Sequence, residues 1–216
     1  MTNNLTGNRA LRIAILGSSQ SGKSAVTVRY LTKRFIGEYS SSKDFFYHHS
    51  LTVDDVKTDV EIMDTSSCKC IYDHIAWADA FVVVYSICDK DSFHEARQLL
   101  QTIAMYKGAR RLPIILLGNK RDLEHNREVA VDDGQELSLL WQCQFYEVSA
   151  AESYIGVSLA FQSLIREAKP SALLKTLPPM RRKTSPAMIG KMIGIVFGKT
   201  GSKSSRNGKK RPSLSI

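Results

Sequence analysis

The chain has 216 residues, a formal net charge of +9, 43% hydrophobic and 24% charged residues, which suits one soluble globular domain of ordinary size with a remainder. No apolar run approaches the ~18 residues of a membrane-spanning helix, and the polar start at 1–10 reads as an extension without a secretory signal core. Four irregularly spaced cysteines (Cys68, Cys70, Cys88, Cys143) argue against a disulfide framework and for a reducing, cytoplasmic setting.

The charge is unevenly placed. Eleven Lys and Arg and no acidic residue fall within 171–216, leaving 19 basic against 21 acidic residues before it. The basic character therefore belongs to a tail.

In chain order, 11–16 is a short apolar run that meets glycine and serine at once, as a buried strand entering a turn does. There follows Gly17-Ser-Ser-Gln-Ser-Gly-Lys-Ser24, a G-x-x-x-x-G-K-S loop placed between a predicted strand and a helix. Glycines let the backbone wrap a phosphate chain, and successive N–H groups with the helix N-terminus face negative charge. Gly17, Ser18, Ser19, Gln20, Ser21, Gly22, Lys23, Ser24 and Ala25 are thus candidate nucleotide-binding residues. Lys23 is expected at the β- and γ-phosphates, and the Ser24 hydroxyl at Mg²⁺.

His48-His49 has no acidic or cysteine partner nearby and reads as a solvated strand edge. Cys68-Lys-Cys70 lacks a second pair at metal-site spacing. Strands are predicted at 60–63, 80–86, 113–118 and 144–148. Two of them, Phe81-Val-Val-Val-Tyr85 and Ile114-Ile-Leu-Leu117, are continuously apolar, as parallel strands covered on both faces require. After an Asp91-Ser92 start signal, Phe93, Ala96, Leu100 and Ile103 mark one helix. Leu137, Leu140 and Trp141 mark a second, and Val157, Phe161, Leu164, Ile165 and Ala168 a third that ends before Pro170. Alternation of strand and helix means βαβ units: an α/β fold with a six-stranded, mostly parallel sheet flanked by helices on both faces.

Asn119-Lys-Arg-Asp122 stands directly after the 113–118 strand. A carboxylate there accepts two hydrogen bonds from the N1–H and 2-amino group of guanine, a pair adenine does not offer. Glu147-Val-Ser-Ala150 closes the next strand, where backbone N–H groups meet guanine O6. This adds Asn119, Lys120, Asp122, Ser149, Ala150 and Ala151 to the candidate nucleotide site, at the carboxyl ends of the strands.

With these motifs in order, the chain over 11–170 resembles a Ras-superfamily small GTPase, a P-loop G domain. Leu31-Thr-Lys-Arg-Phe-Ile-Gly-Glu-Tyr39, Trp77-Ala-Asp-Ala-Phe81 and Gly118-Asn-Lys-Arg-Asp-Leu123 further resemble the subgroup like the Ras-related, estrogen-regulated growth inhibitor. The resemblance implies GTP or GDP with Mg²⁺ as ligands, effector and regulator proteins as partners, and a monomer. It implies Phe35 packed edge-on to the base, and Asp64 and Ser42 with Ser24 around the metal.

The departures surround the γ-phosphate. After Asp64-Thr65 the family has Ala-Gly-Gln, whereas this chain has Ser66-Ser67-Cys68. Ser67 stands where a glycine N–H meets the γ-phosphate. Cys68 stands where glutamine orients the attacking water, and a thiol cannot replace the paired donor and acceptor of an amide. A covalent role for Cys68 is the less favoured alternative. Ser19 and Gln20 occupy positions commonly glycine in Ras itself, Ser42 replaces a threonine, and the segment from Asp64 to Phe81 is about four residues short. Lys23, Ser67 and the degenerate Cys68 are the candidate catalytic set, with slow hydrolysis expected. A Ras-type signalling switch is the leading reading, and a nucleotide-bound scaffold that does not switch is the alternative.

The 171–216 tail reads as largely disordered, with an apolar helical face at 188–197 and no terminal prenylation cysteine. Its basic residues fit an anionic membrane surface, nuclear import, or plain solvation; nucleic acid is not the favoured partner.

Overall fold

A computed structural model describes residues 9–39, 43–66, 70–108 and 112–169. Ser42, Ser67, Cys68, most of the N-terminal extension and the tail with its 188–197 face lie outside the described residues.

The elements are β1 (Leu11–Leu16), α1 (Lys23–Thr32), β2 (Phe45–Val53), β3 (Val56–Asp64), α2 (Ile71–Trp77), β4 (Ala80–Ser86), α3 (Lys90–Lys107), β5 (Ile114–Asn119), α4 (Val131–Trp141), β6 (Gln144–Glu147) and α5 (Tyr154–Ala168), with a 3₁₀ turn at Arg121–Asn126. The strands form one six-stranded sheet in the order β2-β3-β1-β4-β5-β6. All pairings are parallel except β2 with β3.

Period-two alternation sends neighbouring side chains to opposite faces. Ile13, Ile15, Val82 and Val84 pack with α1 and α5 on one side, while Ala14, Leu16, Phe81, Val83 and Tyr85 pack with α2, α3 and α4 on the other. Tyr30 of α1 stacks on Phe161 of α5 at 4.1 Å between centroids, joining the two helices of the first face. Both central strands β1 and β4 are thereby covered on both sides, which is why 13–16 of β1 and 80–85 of β4 are apolar without interruption. Among the described residues, no helix is long and apolar enough to cross a membrane.

Several boundaries differ from the sequence reading, each for a local reason. β3 begins at Val56, four residues before the predicted 60–63, because it pairs antiparallel with β2 through a two-residue turn. In that turn Asp54 and Asp55 both have positive φ (51° and 59°), the backbone of a type I′ hairpin. β6 stops at Glu147, and Val148 instead bonds its N–H to Gly118 O. The α3 cap is Asp89, two residues ahead of the expected Asp91-Ser92 signal. Its carboxylate accepts from the N–H of both Asp91 and Ser92, while Ser92 is buried and bonds back to Ser86. Leu140 does not belong to the buried stripe of α4: it is 67% exposed, and Gly134, Leu137 and Ser138 make the inward face with the half-buried Trp141. His48 is exposed as expected, but His49 is half-buried and meets Tyr30 edge-on at 5.9 Å.

The α4 correction yields a paired expectation. Leu137→Ala should cost about 2–5 kcal/mol of stability as a core truncation. Leu140→Gln should stay within about 0.5 kcal/mol of the parent, as an exposed change does. Urea denaturation of the two variants measures both.

Candidate functional site

The carboxyl ends of β1, β3 and β5 and the loop after β6 converge on a cleft of about 410 Å³. Its lining includes Ser19, Gln20, Gly22, Lys23, Ser24 and Ala25 from the first loop and helix, Phe35 from the next segment, Asn119, Lys120 and Asp122 after β5, and Ala150 and Ala151 after β6. Of the other predicted residues, Gly17, Ser18, Ser21 and Ser149 stand behind this wall and shape it.

Gly17 has φ +149°, and a Cβ there would lie 2.1 Å from Val84 O; the loop can leave β1 against β4 only without a side chain. Gly22 has φ +94°, and its Cβ would lie 2.2 Å from the Asn119 amide nitrogen. Gln20, in contrast, is a residue with a side chain held at φ +63°, a conformation that costs a non-glycine residue about 1 kcal/mol or more. Lys23 is buried, and its Nζ donates to Gly17 O at 2.9 Å and Ser18 O at 2.8 Å. The ammonium is thus centred in the ring of the loop.

Asn119 joins three segments. Its Nδ2 donates to Ser21 O (3.1 Å), and its Oδ1 accepts from Ala150 N–H (3.1 Å). Ser149 donates its hydroxyl to Asp122 Oδ1 at 2.6 Å and accepts from Glu152 N–H at 3.0 Å. One Asp122 carboxylate oxygen is thereby fixed and the carboxylate plane oriented. Arg127 spans the same region with paired bonds to Glu124 and Glu147, holding the 3₁₀ turn to the end of β6.

Around the metal position, Asp64 is 2% exposed and its Oδ1 has no hydrogen-bond partner among the described residues. Burial raises its pKa, against the Ser24 hydroxyl bonded to it and the nearby Lys23 charge. A buried carboxylate oxygen without a partner, next to a serine hydroxyl, suits a small hard cation that takes oxygen ligands and keeps several waters. Among the described residues no group of three or more acidic, His or Cys side chains is placed to hold a metal ion, so a divalent ion here would draw its remaining ligands from hydroxyls, phosphate oxygens or water.

Sequence reasoning missed several participants. Tyr39, Thr65 and Leu123 also line the cleft, and Tyr39 accepts at its hydroxyl from Ile36 N–H. Arg29 of α1 donates Nε to Ala150 O at 2.6 Å, Nη2 to Ala151 O and Nη1 to Lys33 O at 2.9 Å. Its main partners are more than 120 positions away, and no local pattern announces them. Asp44, just ahead of β2, accepts from Ser66 N–H (2.8 Å) and Ser66 Oγ (3.0 Å), and meets His74 Nε2 at 2.8 Å.

The chain is similar to known proteins over most of its length. A model of the Ras family matches residues 12–170. The Ras-related and estrogen-regulated growth inhibitor of Homo sapiens is 34% identical over 195 residues, covering 89% of this chain and 97% of that protein. The Ras-related and estrogen-regulated growth inhibitor-like protein of Homo sapiens is 39% identical over 191 residues, covering 84% and 92%. Ras-like protein family member 12 of Danio rerio is 41% identical over 164 residues, covering 74% and 64%.

Gly22→Ala should lower stability by more than about 1 kcal/mol, because it adds positive-φ strain to the 2.2 Å approach on Asn119. Thermal unfolding of the variant beside the parent measures the loss.

Proposed function

The chain belongs to the Ras family, and on that premise we propose that it is a guanine-nucleotide-binding protein with slow GTP hydrolysis, whose site is the cleft at the strand ends. The observation that carries the reading is Asn119, which holds the phosphate loop at Ser21 and the base loop at Ala150 in one arrangement. Lys23 and the loop N–H groups would bind the phosphates, Asp122 the N1–H and 2-amino edge of guanine, the Ala150 and Ala151 N–H groups its O6, and Phe35 one face of the base. Ser24 and Asp64 would hold Mg²⁺, with Ser42 as a third ligand. When bound, that ion would neutralise charge on the phosphate oxygens.

Slow hydrolysis is supported by the residues at 66–68. In this reaction water attacks the γ-phosphorus, the bond to the β–γ bridging oxygen breaks, and GDP and phosphate leave. Lys23 would stabilise charge on the departing oxygen. With Cys68 in place of glutamine, that position offers a weak S–H donor and a weak sulfur acceptor instead of the strong donor and acceptor an amide carries on separate atoms. The basic 171–216 tail adds a separate proposal, peripheral contact with an anionic membrane surface, at about 1 kcal/mol per nearby Lys or Arg.

A non-switching, nucleotide-bound scaffold is the second reading, and the bonding of Asp44 to Ser66, which lines the cleft, and to His74 of α2 favours it, since it ties these segments together through the chain's own side chains.

Denaturing the purified chain and separating the released small molecules should give guanine nucleotide; an empty protein overturns the proposal. Asp122→Ala should weaken GDP binding by at least about tenfold, as loss of charge-assisted hydrogen bonds requires, measured by fluorescent-nucleotide titration. Single-turnover release of phosphate should proceed at or below ~10⁻⁴ s⁻¹; a clearly faster rate removes the slow-hydrolysis assignment.

A further inference from the structure

Two segments that the functional reading places on either side of the terminal phosphate are joined by the chain's own side chains. Asp44 immediately precedes β2, and Ser66 follows β3 by two residues. The carboxylate of Asp44 is shared among three groups from two other segments: the N–H and hydroxyl of Ser66 on Oδ1, and the His74 ring on Oδ2. The carboxylate thus meets a partner on each of its two oxygens.

His74 is 5% exposed in the middle of α2, and its Nδ1 has no partner among the described residues. The ring's one polar contact within the described chain is the one to Asp44. A second contact lies beside it. Phe46, two residues after Asp44, meets Trp77, three residues after His74, edge-to-face at 5.6 Å and 77°, and the Arg12 guanidinium lies 5.4 Å from the Trp77 ring centre. A spacing of two on a strand and of three on a helix each keep side chains on one face. The start of β2 and the length of α2 are thus fastened at two points, one polar and one aromatic.

In Ras-type switching, the terminal phosphate supplies the contacts that order the segments around it, and the segments are released when it leaves. A ligand shifts such an equilibrium only by its differential interaction with the two states. Here the bonds from Asp44 to Ser66 and His74 are made between the chain's own groups and need no phosphate oxygen as a partner.

We propose that Asp44, with Ser66, His74 and the Phe46–Trp77 contact, is a latch that keeps the start of β2, the end of β3 and α2 in one arrangement in both the diphosphate and triphosphate forms. The surface made by β2 and α2 is then presented to partners constitutively, and nucleotide serves chiefly to keep the domain folded. The inference rests on the guanine-nucleotide reading above and specifies how that site is regulated.

The test is hydrogen–deuterium exchange of the full chain loaded with GDP or with a non-hydrolysable GTP analogue, followed in peptides covering 43–53 and 70–78. The parent should exchange at the same rates, within about twofold, in the two loaded forms. Asp44→Ala should exchange about tenfold or more faster in the GDP form, the scale expected from losing hydrogen bonds to a charged group, and should show a nucleotide dependence the parent lacks. His74→Phe retains the buried ring and removes only the bond, so it should shift the same peptides in the same direction. Adding it to Asp44→Ala should give less than the sum of the two single effects.

Nucleotide-dependent exchange in the parent overturns the latch, and so does Asp44→Ala exchange that matches the parent. Chromatography of nucleotide from the same samples separates the two claims. Protein that retains no guanine nucleotide sinks the binding assignment, whereas loaded protein with unlatched peptides sinks only the latch.

Discussion

The site depends on one amide side chain. Asn119 stands at the last position of β5, buried, with a donor committed to the phosphate loop and an acceptor committed to the base loop. An amide carries its donor and its acceptor on separate atoms of one planar group, so it can face two segments at once, and burial makes an unfilled half of it costly. Gly22 has no side chain partly because Asn119 occupies the space a Cβ would need. Ser21 faces it with a carbonyl, and Ala150 with an N–H. The motif residues that look separate in the sequence are one bonded unit in space.

Around this unit the chain keeps what binding needs and departs where the terminal phosphate would act. Lys23, Ser24, Asp64, Asn119 and Asp122 all occupy geometry suited to their proposed roles. By contrast, Gln20 carries positive φ on a residue with a side chain, and Ser66 spends its hydroxyl and N–H on Asp44. A positive φ on such a residue persists only when surrounding structure determines the backbone, and Lys23 ties the start of the same loop through the Gly17 and Ser18 carbonyls.

Much of the fold was legible because β1, β4 and β5 are apolar runs with turn residues behind them, and α3 and α5 keep their 3.6-residue stripes. The β2–β3 hairpin was harder to read. β2 alternates half-buried and exposed positions with aromatics on both faces, and its turn is Asp-Asp rather than a glycine pair, so neither the period nor the turn chemistry stood out. The binding motifs were legible as local strings. The contacts that hold them were not: Arg29 with Ala150 and Ala151, Asp44 with His74, and Arg127 with Glu147 join residues between about 20 and 120 positions apart. Leu140 shows the opposite error, an apolar residue placed inward by composition and outward by the helix.

Arg29 grips the carbonyls at Ala150 and Ala151 from a helix whose first residue is Lys23. The start of α1 and the loop after β6 are consequently joined through one side chain. On the nucleotide reading proposed above, tilting α1 would withdraw the Lys23 ammonium and pull on the Ala150–Ala151 loop in the same stroke, so an occupant would leave over one barrier rather than two in series.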